Sequence, residues 1–155
     1  MTGTHTELTA LARVPLFAGL GPRQLRRVAA LAQQRRFTAG STIVRLGGHG
    51  DTFYVILEGR ALVVRPDRRP LKLGAGDFFG ELALIENAPR SADVIAVEEV
   101  AALAIGRSAF TKLLRTEPLL TFAILQTVVG RLRADQRSAV WDLGNLATRR
   151  TSSAA

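Results

Sequence analysis

A chain of 155 residues with a formal net charge of +8 and 47% apolar residues has material for one well-packed domain and too little for a second full domain beside it. Cysteine is absent, which excludes disulfides, thiolate metal sites and thiol nucleophiles, and His5 and His49 stand too far apart in the chain to anchor a metal. No apolar stretch reaches the roughly 18 residues of a membrane span, and the opening MTGTHTELTALARV lacks a basic segment followed by an apolar one, so a soluble, cytoplasmic protein is expected.

The first third reads as helical. In VPLFAGLG, Val14, Leu16, Phe17 and Leu20 form an apolar cluster broken by Pro15, Gly19 and Gly21, the mark of a short helix or turn. The following PRQLRRVAALAQQRRF places Leu25, Val28, Ala29 and Ala32 on one helix face with arginines elsewhere, so the spacing predicts a second helix packed on the first.

From Thr38 to Ile105 the pattern changes to short β-branched and aromatic runs, namely STIVRL, TFYVILEG, RALVVRP, PLKL, ADVIAV and VAALAI, separated by glycine, proline and aspartate. This spacing predicts a compact antiparallel β-structure over about 37–106, with Phe53, Tyr54 and Phe78 in its core, Asp93 facing outward and His49 in a solvated glycine loop. Pro70 suits the first residue of a strand because it cannot donate to a ladder.

Past Gly106 the helical period returns over about 107–143. RSAFTKLLR is a short helix, and a long one begins near Thr116, with Thr116 or Glu117 as cap and Pro118 in the first helical position. The last helix carries Leu119, Phe122, Ala123, Val129 and Leu132 on its apolar face and is expected to run to about Trp141, where Gly144 weakens it. The segment 146–155 reads as a flexible tail, leaving 1–145 as a single domain of the α+β class.

The segment FGELALIENAPRSADV, Phe79 to Val94, carries the chemistry. Gly80 removes a side chain where backbone must approach a ligand, and a helical turn from Glu81 to Leu84 offers free N–H groups to an anion. Arg90 brings a planar fork of donors suited to phosphate, and Ser91 adds a hydroxyl. Glu81 repels a phosphate but accepts from a sugar hydroxyl, so this acid fits a ribose 2′-hydroxyl while Arg90 faces the phosphate. Taken alone, such an acid and arginine beside a glycine read more readily as a structural ion pair, and only the full segment reverses that preference.

FGELAL followed by PRSA, after GDTFYVILEGRALVV, resembles the phosphate-binding cassette of the cyclic nucleotide-binding domain family, which takes in the catabolite activator protein, the regulatory subunits of cAMP-dependent kinase and cyclic-nucleotide-gated channels. The resemblance covers about Leu16 to Arg137. It implies an eight-stranded antiparallel β-roll, jelly-roll-like, flanked by N-terminal helices and by a C-terminal helix pair with a long last member. It further implies that the ligand is cAMP or cGMP, that Gly80 and Glu81 serve its ribose, and that the backbone N–H groups of Leu82 and Ala83 hold the cyclic phosphate with Arg90 and Ser91. Gly59 and Gly76 match structural turn glycines of the family. The last helix would close over the base, with Arg133, Asp135 and Gln136, beside Arg131, where helices in the family reach the purine; Asp135 and Ser91 suit either base, and composition with family habit favours cAMP.

No cofactor is called for, and no nucleophile with a matched base stands out, so an enzyme is not expected. The partners implied are the nucleotide, a downstream protein, and a second copy of the chain along Leu119, Phe122, Ala123, Gln126, Val129 and Leu132, a stripe that equally fits packing onto the roll. The alternatives are a catabolite-activator-type regulator lacking its own helix-turn-helix, since WDLGNLATRRTSSAA is too short for one, and a degenerate domain used for protein interaction. The arginines, spread along the chain instead of forming a block, read as a solvated surface more readily than as a nucleic-acid footprint, and direct sequence-specific DNA binding is not expected.

Overall fold

The computed structural model describes residues 5–152, with side chains described over 8–136. The chain divides into two compact units, Met1–Leu120 and Thr121–Ala155.

In the first unit, helix α1 (His5–Ala12), a 3-10 turn (Pro15–Phe17) and helix α2 (Pro22–Leu31) precede the strands. Pro15 and Pro22 both occupy first-turn positions, where a missing N–H costs nothing. Strands β1 (Ala32–Phe37), β2 (Thr42–Val44), β3 (Thr52–Glu58), β4 (Ala61–Val64), β5 (Leu71–Leu73) and β6 (Phe78–Phe79) follow, then helix α3 (Glu81–Glu86), strands β7 (Asp93–Ala96) and β8 (Val100–Gly106), and helix α4 (Arg107–Thr116). All pairing is antiparallel. One sheet has the order β1-β8-β3-β6 and the other β2-β7-β4-β5.

Between the sheets lies a core of Tyr54, Ile56, Leu73, Phe79, Val94, Ala96, Val100, Ala102 and Ala104 with their neighbours. Small residues on β8 make room for large ones opposite. Ala104 stands across from Tyr54, whose ring stacks on Phe79 at 5.0 Å and meets the edge of Phe37 at 6.0 Å. The other face of β3 is buried as well, the Phe53 ring lying tilted against Phe110 of α4 at 4.7 Å and against Phe78 at 5.4 Å. Burial on both faces explains why TFYVILE lacks the polar alternation of a half-exposed strand. Gly59 and Gly76 both have φ near +90°, and at Gly59 a Cβ would drive into the Glu99 carbonyl.

The strands differ from the sequence reading at two points. The second helix ends at Leu31, and AQQRRF forms β1, so the roll begins at residue 32 instead of 37. Gln and Arg are good helix formers and propensity favours continuing the helix; pairing of the whole segment with β8, Ala32 opposite Ile105 through Phe37 opposite Val100, overrides it. The two-residue strand β6 was also absent from the six runs, being too short to show a period.

Helix α5 (Pro118–Ser152) spans the junction and supplies the second unit. It continues through Gly144 to Ser152 instead of ending near Trp141, since one interior glycine costs only about 1 kcal/mol among good helix formers. The last three residues of the expected tail lie outside the described residues. Thr116 turns its hydroxyl back to the Lys112 carbonyl at 2.9 Å and so is not the cap; Glu117 precedes Pro118, is 5% exposed, and pairs with Arg27 at 3.4 Å. Among the described residues no helix is long and apolar enough to cross a membrane.

Candidate functional site

The cassette is assembled where α3 leaves the first sheet. Gly80 has φ +93° and ψ −3°, a left-handed conformation that lets the chain turn from β6 directly into α3. Its missing side chain also makes space, because a Cβ there would lie 2.7 Å from the Thr52 carbonyl oxygen and 2.8 Å from Arg90 Nη1. Helix α3 ends after Glu86 on left-handed Asn87, whose N–H donates to the Ala83 carbonyl.

Arg90 is 7% exposed, and its guanidinium donates to two backbone carbonyls, Gly80 at 3.0 Å through Nη1 and Thr52 at 2.6 Å through Nη2. Its backbone is also held: the Arg90 N–H donates to the Gly48 carbonyl at 2.9 Å, and the Gly47 N–H to the Arg90 carbonyl at 2.8 Å. Burial pushes the guanidinium below the ordinary arginine value, and Arg107 adds in the same direction against the pull of Tyr54, Asp51 and Glu81. A guanidinium has five N–H donors, so the two carbonyls leave capacity for an anion, which would also relieve the cost of burying the charge.

Glu81 opens α3 and is 3% exposed. Its carboxylate acts on the charge of Arg90, and its Oε2 is enclosed with no hydrogen bond to it. Gly80, Glu81, Leu82 and Ala83 come together at the start of α3, Arg90 lies against Gly80, and Ser91 follows at the surface. Arg133, Asp135 and Gln136 are on α5 in the second unit, with Arg133 and Gln136 exposed and Asp135 half-buried.

Three contributors escaped the sequence reading. Gly50 allows close packing of the β2–β3 loop, since a Cβ there would be 2.6 Å from the Ala83 Cβ and 2.9 Å from Arg90 Nε. Thr52 acts through its carbonyl, which any residue could supply. Arg107, at the start of α4, donates to the carbonyl of Gly50 at 2.7 Å and of Leu84 at 3.3 Å, and its Nε lies 3.6 Å from Asp51. It therefore clamps the loop to α3, and nothing local in GRSAF announces a contact 57 residues away. His49 is exposed in its loop, as read from the sequence, and sits 3.1 Å from Asp51, while Asp93, the first residue of β7, accepts from the Leu46 N–H at 2.7 Å.

Residues 34–117, more than half of the chain and the segment just described, match the family model for the cyclic nucleotide-binding domain. The chain belongs to the cyclic nucleotide-binding domain family. Over 121 residues the domain is 41% identical to a cyclic nucleotide-gated potassium channel of Rhizobium etli, covering 78% of this chain and 34% of the channel. Among solved structures, the regulatory domain of Toxoplasma gondii PKA in complex with cAMP aligns at TM-score 0.69 and 32% identity, over 79% of this chain and 49% of that one. The catabolite activator protein of Thermus thermophilus aligns at TM-score 0.72 and 30% identity, over 83% and 63%. The β-roll with flanking helices is therefore the family fold, and the domain is a cyclic nucleotide-binding regulatory domain. It spans about a third of the length of the first channel relative and 22% of a fungal kinase regulatory subunit.

Proposed function

We propose that the domain is a cyclic-nucleotide sensor that binds cAMP in preference to cGMP and passes the signal on by movement of α5, without transforming the ligand. The observation that carries this reading is Arg90, a nearly buried cation pinned by the Gly80 and Thr52 carbonyls beside the start of α3, with donors to spare. In this reading Arg90 and Ser91 take the cyclic phosphate with the N–H groups of Leu82 and Ala83, while Gly80 and Glu81 take the ribose. Arg133, Asp135 and Gln136 supply the contacts to the base. The preference for cAMP is supported by the relatives named for it. A ligand that binds better when α5 is closed shifts the population of that helix by its differential affinity, which a downstream protein then reads. The site of action is the cytoplasm.

The second unit presents Phe122, Leu125, Val129 and Leu132 as exposed apolar residues at alternating spacings of three and four, which supports homodimerisation along α5.

Calorimetric titration of the full chain, freed of nucleotide, with cAMP and cGMP tests the sensor reading. Wild type should saturate with cAMP more tightly than cGMP. Arg90→Ala removes at least two charge-assisted contacts, about 3 kcal/mol or more, and should weaken binding at least about a hundredfold. If the wild type binds neither nucleotide, the reading fails and a protein-interaction role replaces it.

A further inference from the structure

Along β4 the inward row of side chains runs Ala61, Val63 and then Arg65, one residue past the end of the strand. The ladder shows which face this is. Ala61 stands across from Ala96 and Val63 across from Val94, with Ala61, Ala96 and Val94 in the core and Val63 packed against it. Side chains two apart in a strand share a face, so the next member of the row, Arg65, also points between the sheets. A second observation agrees: Arg65 is half-buried although residues 66–70 beyond it are all exposed, and its Nε is enclosed.

The neighbouring strand leads to the cassette by the same alternation. Strand β7 presents Ala96 and Val94 inward, and the two positions that precede them in that row are Ala92 and Arg90, 8% and 7% exposed. Val64 pairs with Asp93, so Arg65 comes level with Ala92 and diagonal to Arg90, a separation of about 7–8 Å in an extended ladder. Two inward cations on adjacent strands thus stand at the same end of the roll.

Their surroundings differ. Arg90 is held by the Gly80 and Thr52 carbonyls at the start of α3, in the place read for the phosphate. Arg65 follows Val63, which pairs with Leu71, and both of these are only partly buried, leaving apolar surface beside the guanidinium. An apolar wall next to a planar cation suits a flat aromatic ring, whose face attracts a guanidinium. A cation in an inward row of small and β-branched side chains also breaks the pattern of its strand at a desolvation cost, and such breaks are expected at functional positions.

We propose that Arg65 is a further nucleotide-binding residue, its guanidinium stacked on the face of the purine while Arg90 holds the phosphate. The assignment rests on the sensor reading above and gives the roll its own contact to the base, beside those read on α5. Stacking is tolerant of the base, since every base has a π face.

The test is calorimetric titration of the full chain, freed of nucleotide, with cAMP and with cGMP, on wild type, Arg65→Ala, Arg65→Phe and Arg65→Lys. Phenylalanine keeps a flat surface and loses the charge and every donor; lysine keeps the charge and loses the plane. Arg65→Ala should weaken both nucleotides by a similar factor, at least about fivefold, and Arg65→Phe should return to within about twofold of wild type. Undiminished affinity in Arg65→Ala overturns the proposal. Rescue by Arg65→Lys and not by Arg65→Phe would put the residue on the phosphate, and a loss confined to cGMP would put its fork on the guanine O6 and N7 edge; either result overturns the stacking. A wild type that binds neither nucleotide removes the sensor reading itself, whereas wild-type binding with an indifferent Arg65→Ala removes this proposal alone. Should Arg65→Ala lower the melting temperature of the nucleotide-free chain, Arg65→Leu fills the space without a flat surface and must still bind at least about fivefold more weakly than Arg65→Phe.

Discussion

Arg107 allows the sharpest check on how the cassette is held. Arg107→Met keeps most of the side chain's length and removes every donor, so the Gly50 carbonyl loses a 2.7 Å bond and the Leu84 carbonyl a weaker one at 3.3 Å. Hydrogen bonds to a charged group contribute about 1.5–3 kcal/mol each when buried. The Arg107 side chain is 34% exposed, so water can replace part of what is lost, and the contact with Asp51 at 3.6 Å is largely screened. The expected loss of unfolding free energy is therefore about 1–3 kcal/mol for the pair. Part of that energy holds the β2–β3 loop to α3, the geometry that places Arg90. If about 1 kcal/mol of it maintains the binding-competent arrangement, cAMP affinity falls about fivefold. Urea unfolding and calorimetry on wild type, Arg107→Met and Arg107→Lys measure both effects. Lysine keeps the charge but not the fork, so it should lie between the other two. Unfolding midpoints and affinities of Arg107→Met within error of wild type would refute the clamp.

Gly80→Ala combines a left-handed φ with a Cβ 2.7 Å from the Thr52 carbonyl, and should lower stability by about 2–4 kcal/mol in chemical denaturation and abolish measurable nucleotide binding. Phe79→Ala removes the ring stacked on Tyr54 and should cost about 3–5 kcal/mol by the same assay, because the surrounding sheets cannot close on the cavity. Val129→Glu with Leu132→Glu, on the exposed α5 stripe, should convert a dimer to a monomer in sedimentation velocity while leaving the thermal melt of the roll in place.

Most of the β-roll was legible because its strands are dense in β-branched and aromatic residues and its turns carry glycine and proline. The runs TFYVILEG, RALVVRP and VAALAI coincide with β3, β4 and β8 to within a residue or two. AQQRRF misled, since nothing in two glutamines and two arginines says strand; only β8 lying alongside makes it one. The end of α5 was misplaced for a related reason, a single glycine being read as a stop where the surrounding helix formers outweigh it.

The sequence by itself determined the chemistry of the candidate site. Gly80, Glu81 and Arg90 are the residue types that a sugar phosphate requires, and their spacing within one short segment makes their proximity a local matter, settled by a turn and six residues of helix. Tertiary structure alone decided what surrounds them. Arg90 is fixed by the carbonyl of Thr52, 38 residues earlier, and the loop at Gly50 by Arg107, 57 residues later. Carbonyls are common to every residue and leave no mark in composition or period, so contacts made to them emerge only when the sheets have brought distant backbone together.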